Sequence, residues 1–323
     1  MNLHKDKDAF LDLIAATAEN IGLPDVHIEK DYWVTRALHR LAHDDANEQA
    51  VFKGGTSLSK AHGIIQRFSE DIDIAVFARH IGDARRKKMI KRVEAALVCP
   101  EFEALDDDAR VSKKSNFRKT VYRYPRLLPE GSFGQASPQL LLEINAFTTP
   151  EPSERLPVRS EIAKMLAEAG RDDLIARYGL EPFDVRVLSV QRTLTEKLIA
   201  VAADSYHEDP IARLRVRIRH LYDIAMILRD PKYRAFIGGV EFAPLYARCA
   251  DDDEGMPGNR PWHGKPLGQA PLFASFEDWW PQLASTYEND FASLVYGERP
   301  SGDEIHRALK LVFENSLVRH SNS

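Results

Sequence analysis

The 323-residue sequence contains only two cysteines, Cys99 and Cys249, which lie far apart. Two isolated thiols exclude a disulfide-stapled scaffold and the paired Cys and His spacings of a zinc site, and they favour a reducing, cytoplasmic environment. No apolar run approaches the roughly 20 residues that span a membrane. The N-terminus also lacks the apolar core of a signal peptide. Internal repeats and low-complexity tracts are missing too, so an ordinary soluble, globular protein is expected.

Positive charge is not in excess, because 44 Lys and Arg residues face 49 Asp and Glu residues, for a formal net charge of −5. This balance argues against indiscriminate binding to nucleic acid, although a local basic groove is compatible with it. One basic stretch lies in a predicted helix over residues 82–98, and a second, over 113–126, is interleaved with aromatic residues. Such interleaving suits a groove that binds a nucleic-acid backbone and stacks bases. The alternative is a solvated face balanced by nearby acids.

The most informative stretch covers residues 51–77. It predicts a strand, a tight glycine turn, a short helix, a loop, and a strand that begins with Asp71 and Asp73. Strand residues two apart point to the same face, so both carboxylates project to one side. Their mutual repulsion favours a cation between them. Hard cations such as Mg²⁺ or Mn²⁺ prefer oxygen ligands and leave positions open for phosphate oxygens.

The glycine turn ahead of these carboxylates predicts a phosphate-binding site. Paired glycines let backbone N–H groups approach a phosphate closely, and the hydroxyl groups that follow add donors at a helix N-terminus. A lysine at the end of the strand adds a mobile cation. A serine before the acidic strand either contacts phosphate or satisfies its own loop. The candidate nucleotide-binding residues are Lys53, Gly54, Gly55, Thr56, Ser57 and Ser69.

The string Lys53-Gly-Gly-Thr-Ser-Leu-Ser-Lys60, followed by Arg67-Phe-Ser-Glu-Asp-Ile-Asp73, resembles the AbiEii/AbiGii toxins, a family of polymerase β-like nucleotidyltransferases. The string Glu-Lys-Asp-Tyr-Trp-Val, which begins at Glu29, resembles an element that precedes the turn in that family, and it places Lys30 and Asp31 near the nucleotide or in support of the turn. The resemblance runs from about Glu29 to Asp223.

This resemblance implies an α+β fold, in which a nucleotidyltransferase-like mixed-sheet lobe with helices is followed by a mainly helical C-terminal lobe. The catalytic cleft is expected between the two lobes. The polar, proline-rich residues 148–157 are typical of a linker, so the expected lobes are 1–150 and 151–323. The Gly-, Pro- and Asp-rich residues 251–271, which include His263, predict a long loop that serves as a lid or a partner surface.

The same resemblance extends the candidate site to three further residues. A third carboxylate on a neighbouring strand completes the metal set in this fold, and Glu143, in the apolar strand predicted over 139–147, has that position; the alternative is a glutamate on an edge strand facing water. In the helical lobe, Lys197 would bind the β- and γ-phosphates, and Asp223 would orient that lysine, another basic residue or the acceptor hydroxyl. Ion pairs with Glu196 and Arg219, respectively, are the alternatives for these two residues.

The implied function is transfer of a nucleoside monophosphate from an NTP to an RNA hydroxyl, with the 3′ end of tRNA as the expected acceptor. The implied setting is a bacterial toxin–antitoxin pair that acts in abortive infection and phage defence, with a cognate antitoxin encoded nearby. Two other functions stay open from the residues alone. One is nucleotide transfer to a protein hydroxyl, and the other is nucleotide binding by a regulator without turnover.

Overall fold

The computed structural model describes residues 1–79, 81–129, 133, 136–254, 262, 265 and 267–320, without the side chains of 253–254 and 316–320. These residues form two compact units. The first unit comprises Met1–Gly63 and Arg67–Leu188, and the second comprises Ile64–Gln66 and Ser189–Ser323. None of the described helices is long and apolar enough to cross a membrane.

The first unit is built on a mixed β-sheet in the order β3-β5-β6-β2-β1-β8-β7, with β4 paired to β5. Strand β2 pairs in parallel with β6, and β1 in parallel with β8, whereas the other pairings are antiparallel. The strands are β1 Ala50–Lys53, β2 Ile72–Val76, β3 Glu103–Ala104, β4 Ser112–Lys113, β5 Phe117–Arg123, β6 Leu140–Asn145, β7 Ser153–Val158 and β8 Phe183–Leu188. The expected mixed sheet is therefore confirmed.

Helices accompany this sheet and bury its apolar residues. The first of them begins at an N-cap, Asp6, whose side chain accepts a hydrogen bond from the Ala9 N–H, and it ends at Gly22 in the left-handed conformation. Ile72 and Ile74 of β2 are fully buried on one face of the strand, and Asp73 projects from the opposite face. The helices of this unit are α1 Lys7–Ile21, α2 Asp25–Ala42, α3 Gly54–Lys60, α4 Asp83–Leu97, α5 Glu161–Glu168 and α6 Asp172–Tyr178.

The second unit is mainly helical over its described residues, as expected for the C-terminal lobe. Its first helix along the chain after Leu188 starts after Ser189, whose hydroxyl accepts a hydrogen bond from the Arg192 N–H. Residues 211–228, which have a continuous helical pattern, form two helices separated at Arg217. The helices are α7 Val190–Ser205, α8 Pro210–Val216, α9 Ile218–Arg229, α10 Pro231–Gly238, α11 Phe242–Glu254, α12 Pro271–Ala274, α13 Phe276–Ser285 and α14 Gly302–His320.

The predicted lobe boundary at residue 150 is wrong, because the first unit extends to Leu188. The polar, proline-rich stretch taken as a linker contains β7, which pairs with β8 at the edge of the sheet. Polar residues and proline are typical of edge strands, which explains the mistaken interpretation. The predicted loop over 251–271 is shorter than expected at its start, because α11 continues to Glu254. Most of its central part, including His263, lies outside the described residues.

A three-residue segment, Ile64–Gln66, leaves the first unit and belongs to the second. The Gln66 N–H donates a hydrogen bond to Tyr222 Oη over 3.1 Å. The Gln66 carbonyl accepts hydrogen bonds from the N–H groups of Tyr296, at 3.0 Å, and Gly297, at 3.3 Å. The loop between α3 and β2 is thus held within the second unit by its own backbone.

Candidate active site

Four charged residues form a row across four adjacent strands of the first unit. Lys53 of β1 lies opposite Asp73 of β2, and Asp73 lies opposite Glu143 of β6. Glu143 lies opposite Lys119 of β5. Residues directly opposite each other project from the same face of a sheet. The strand register therefore brings two predicted carboxylates side by side and flanks them with a lysine at each end.

The glycine turn lies against this row because its first residue has no side chain. Gly54 has a φ of +82°, and a Cβ atom added to it would overlap the carboxylate of Asp73. A Cβ atom at Gly55 would overlap the guanidinium of Arg67 and would approach Ser69 Oγ to 2.9 Å. Glycine is thus required here by backbone conformation and by close packing. The turn and the acidic strand form one compact structure, as the sequence predicts.

The hydroxyl groups after the glycines hold the turn in place. Thr56 and Ser57 are buried, with at most 1% of either residue exposed. Thr56 Oγ1 donates to the carbonyl of Asp71 over 2.7 Å and lies 2.9 Å from Ser69 Oγ, while Ser57 Oγ donates to the Gly54 carbonyl over 2.9 Å. These hydroxyls are therefore engaged within the protein. The donors that the turn offers to a phosphate are backbone N–H groups of the first helical turn, which have no intrahelical partner.

Asp71 lies one residue before β2 and contributes an oxygen without a partner. Its Oδ1 atom is buried and has no hydrogen-bond partner among the described residues. Asp71 interacts electrostatically with Arg110, whose pKa is raised mainly by its hydrogen bond to Asp108 and to a smaller extent by the charge of Asp71. The Arg110 guanidinium is held by Ser137 Oγ at 3.0 Å. Sequence reasoning missed Arg110 because it lies in a polar turn with no motif.

The donor types fit a divalent cation, although the carboxylates are not gathered around one point. A buried carboxylate oxygen without a partner, as on Asp71, is costly and is satisfied by a proton or a cation. Asp73 and Glu143 offer further hard oxygen ligands beside it. Among the described residues, however, no three His, Cys, Asp or Glu side chains are placed to hold a metal ion. Glu143 is instead hydrogen-bonded to Lys119 Nζ.

The buried Lys30 of α2 supports the strand that carries Glu143. Its ammonium is completely buried and donates hydrogen bonds to the carbonyls of Ser137, at 2.6 Å, and Gln139, at 2.7 Å. The carboxylate of Glu70 lies 3.9 Å away and accepts a hydrogen bond from the Ser137 N–H at 2.9 Å. Lys30 therefore fixes the segment that leads into β6, together with the residue that precedes Asp71.

The neighbouring acids of α2 have similar supporting contacts. Asp31 forms an ion pair with Lys60 at 2.5 Å and accepts a hydrogen bond from the Glu161 N–H at 2.8 Å. Glu29 accepts a hydrogen bond from the Leu127 N–H at 2.6 Å, and burial raises its pKa. Of the two roles open for Lys30 and Asp31, these contacts favour organisation of the turn and its neighbouring strands.

In the second unit, Lys197 of α7 and Asp223 of α9 form a buried pair. Lys197 Nζ lies 2.8 Å from Asp223 Oδ2, with 7% and 0% of the two side chains exposed. Glu196, the alternative partner of Lys197, lies 3.0 Å from Arg192 Nε. This ion pair is the contact that an orientation of Lys197 by Asp223 would require.

The basic side chains of the two stretches differ in how many of them pair with acidic residues. In the second stretch, the aromatic residues Tyr122 and Tyr124 are buried, which leaves them unable to stack on bases. Four of its cations pair with acids on neighbouring elements: Lys113 with Asp106, Arg118 with Glu94, Lys119 with Glu143, and Arg123 with Glu103. On α4, by contrast, five cations are exposed, namely Arg85, Lys87, Lys88, Lys91 and Arg92. The alternative of a balanced face therefore describes the four paired cations of the second stretch. Lys114 of that stretch is exposed, as are the five cations on α4.

The chain is similar to known nucleotidyltransferase toxins over most of its length. The model of one family, described as nucleotidyl transferase AbiEii toxin, type IV toxin–antitoxin system, matches residues 36–310. No curated protein matches the chain. Among solved structures, the chain is similar to MenT4, a nucleotidyltransferase toxin from Mycobacterium tuberculosis H37Rv, with 18% sequence identity and a TM-score of 0.47. That match covers 93% of this chain and 98% of MenT4.

Proposed function

Since the chain belongs to the AbiEii family of nucleotidyltransferase toxins from type IV toxin–antitoxin systems, we propose that it transfers a nucleoside monophosphate from an NTP to an RNA hydroxyl. The proposed acceptor is the 3′ end of tRNA. A cognate antitoxin counters the resulting toxicity, and the pair acts in defence against phage. The observation that supports this proposal best is the adjacent register of Asp73 and Glu143 beside the Gly54 turn.

In the proposed reaction, the acceptor hydroxyl loses its proton and its oxygen forms a bond to the α-phosphorus. The bond between the α-phosphorus and the bridging oxygen to the β-phosphate breaks, and pyrophosphate leaves with that oxygen. Both bonds lie roughly in line during such a displacement, so catalysis depends on positioning and on neutralising phosphate charge. The protein therefore needs groups that grip the triphosphate and groups that hold the acceptor oxygen.

The residues of the chain divide between these tasks. Backbone N–H groups of the turn from Gly54 to Ser57 would bind phosphate oxygens, with Lys53 adding positive charge. Ser69 would keep Thr56 and the turn in place through its contact with Thr56 Oγ1. In the second unit, Lys197 would bind the β- and γ-phosphates, and Asp223 would hold its ammonium in position. Asp71, Asp73 and Glu143 would supply oxygens at the reacting centre.

The same three carboxylates would hold the divalent cation, Mg²⁺ or Mn²⁺, that this chemistry requires. When bound, the cation would neutralise phosphate charge and lower the pKa of the acceptor hydroxyl. The buried, unpartnered Asp71 Oδ1 supports this assignment, since a cation would satisfy it.

Incubation of the purified protein with each α-labelled NTP, a divalent cation and total tRNA tests the proposal directly. Label is expected on tRNA with the wild type and is expected to be lost in Asp73→Asn. The matched control is Asp106→Asn, which removes a carboxylate that is 67% exposed and paired with Lys113. Label on a polypeptide would instead support the protein-modifying alternative. NTP binding without any release of pyrophosphate would support the non-catalytic regulator.

A further inference from the structure

Lys119 lies directly beside the third predicted carboxylate, Glu143. It lies opposite Glu143 in the register of β5 and β6, and its ammonium is hydrogen-bonded to Glu143 Oε1. On its other side, Glu143 faces Asp73. Glu143 therefore lies between a carboxylate, with which it would share a cation, and an ammonium, which already neutralises it.

Glu143 can either accept the hydrogen bond from Lys119 or bind a cation together with Asp73, and these two interactions compete. A carboxylate oxygen that accepts a hydrogen bond from an ammonium has less electron density for a cation, and the ammonium itself repels a divalent ion nearby. The pairing also relieves repulsion between Glu143 and Asp73, which are like charges on adjacent strands. The same pairing engages Glu143 with Lys119, and among the described residues no three carboxylates converge on a single point.

We propose that Lys119 is a positioning residue that holds Glu143 away from the metal site, and that binding of a divalent cation requires Glu143 to exchange Lys119 for the cation. This inference rests on the proposed function, because it assumes that Asp73 and Glu143 share a cation. The exchange has a small free-energy cost, since the side chains of Lys119 and Glu143 are 26% and 31% exposed and partly exposed ion pairs contribute little to stability.

The exchange also gives Lys119 a second position. Once Glu143 binds the cation, the Lys119 ammonium is released from Glu143 but remains at the end of the same row of charges. The negatively charged triphosphate is then the group that would attract it. In the absence of metal, Lys119 thus neutralises Glu143. It releases Glu143 when the cation and the nucleotide bind together.

Titration of the full-length protein with Mn²⁺, followed by the loss of the free-ion electron paramagnetic resonance signal, tests this inference without turnover. Lys119→Met keeps the length of the side chain and removes its charge. Its Mn²⁺ affinity is expected to be about tenfold higher than that of the wild type, because a competing cation has been removed. Lys119→Arg retains the pairing with Glu143 and is expected to bind Mn²⁺ like the wild type.

The control for the change of net charge is Lys113→Met. Lys113 lies on the neighbouring strand β4, and its ammonium pairs with Asp106. The Mn²⁺ affinity of this variant is expected to stay unchanged. A second comparison places Lys119→Met in a Glu143→Gln background, where the tenfold gain is expected to disappear. Thermal unfolding of each variant confirms that the titrated protein is folded.

The possible outcomes separate this inference from the proposed function. Mn²⁺ affinity that is unchanged or lower in Lys119→Met overturns the role of Lys119, while the metal site remains. A gain of the same size in the Glu143→Gln background also overturns it, because the effect would then be a general effect of charge. If neither the wild type nor Lys119→Met binds Mn²⁺, both the inference and the metal-dependent function are overturned.

Discussion

Asp73 lies directly opposite Glu143 on two adjacent parallel strands, although the two residues are far apart in sequence. Like charges at such a position destabilise a sheet unless cations compensate them. In this protein Lys53 and Lys119 lie at the two ends of the row. Two carboxylates of the sheet thus lie side by side next to a glycine turn, an arrangement suited to binding a triphosphate with a cation.

The conformation of Gly54 gives the first prediction. Gly54→Ala is expected to lose about 1–2 kcal/mol of unfolding free energy because φ is positive there, and to lose nucleotidyl transfer because the new Cβ overlaps the Asp73 carboxylate. The matched control is Gly22→Ala, where φ is +73° and a Cβ would meet no atom within 4 Å. Urea unfolding and labelled-NTP transfer check both variants. Full activity in Gly54→Ala would contradict the packing of the turn on Asp73.

The burial of Lys30 gives the second prediction. Lys30→Met removes a fully buried ammonium that lies 3.9 Å from the Glu70 carboxylate, so a loss of about 3–5 kcal/mol in unfolding free energy is expected. Lys113→Met, which breaks an ion pair with an exposed acid, is expected to lose at most about 1 kcal/mol. Urea unfolding monitored by tryptophan fluorescence measures both. Equal losses in the two variants would show that Lys30 does not organise the site.

The pairing of Lys197 with Asp223 gives the third prediction. If Asp223 acts only by holding the Lys197 ammonium, Lys197→Met and Asp223→Asn each lower kcat/KM for transfer, by about 10²–10³ for loss of one charged donor. The double variant is expected to be no worse than Lys197→Met alone. Steady-state kinetics with labelled NTP measure the cycle. Losses that multiply in the double variant would show that Asp223 has a separate task, such as contact with the acceptor.

The exposed cations of α4 give the fourth prediction. If they contact the RNA backbone, changing Lys87, Lys88 and Lys91 to Gln lowers the slope of log affinity against log salt by about 2–3, because three phosphate contacts are lost. A control with the same change of net charge alters Lys5, Lys7 and Lys310, which are exposed elsewhere. Filter binding of tRNA over a range of salt concentrations measures both slopes. Identical slopes would exclude α4 from the RNA-binding surface.

The buried His27 gives the fifth prediction. Burial lowers its pKa from 6.5 to about 4, and its ring stacks on Phe68 with centroids 4.0 Å apart. The unfolded chain therefore binds more protons than the folded chain between these values. Stability is complete above pH 6.5 and falls as the pH drops towards 4, by about 1.4 kcal/mol per pH unit for this group. Burial also lowers the pKa of His4 and His39 to about 4, so their contributions have the same sign.

Comparison of the wild type with His27→Gln isolates the contribution of this one residue. The variant is expected to have a lower unfolding free energy at pH 7 and a shallower decline between pH 6.5 and 4. Urea unfolding at half-unit intervals of pH gives both curves. Parallel curves would mean that His27 does not titrate with a lowered pKa.

Local sequence patterns predicted the turn and the acidic strand, and the family resemblance of these motifs predicted the general fold. The two glycines, Asp71 and Asp73 lie within one short stretch, so strand alternation and turn chemistry place them together. The role of Lys119 could not be found in this way. Its pairing with Glu143 depends on the register of two strands, and periodicity alone does not determine which residues of different strands lie opposite each other.

The lobe boundary and the basic stretches could not be predicted for a related reason. A polar stretch with prolines has the composition of a linker, and only the pairing of β7 with β8 shows that it closes the sheet. Likewise, Tyr122 and Tyr124 alternate with cations in sequence, but their burial depends on which elements cover their face of the sheet. Composition indicates solubility and strand preference, whereas the lobe boundary and the burial of these tyrosines depend on long-range packing.

The excursion of Ile64–Gln66 into the second unit has a consequence for dissecting this toxin. The polypeptide passes between the units after Gly63, after Gln66 and after Leu188. A fragment truncated at Leu188 would therefore expose a strip of backbone whose hydrogen-bonding partners, Tyr222 and Tyr296, had been deleted. Co-expression of two complementary fragments is accordingly expected to give folded protein more readily than expression of either fragment alone.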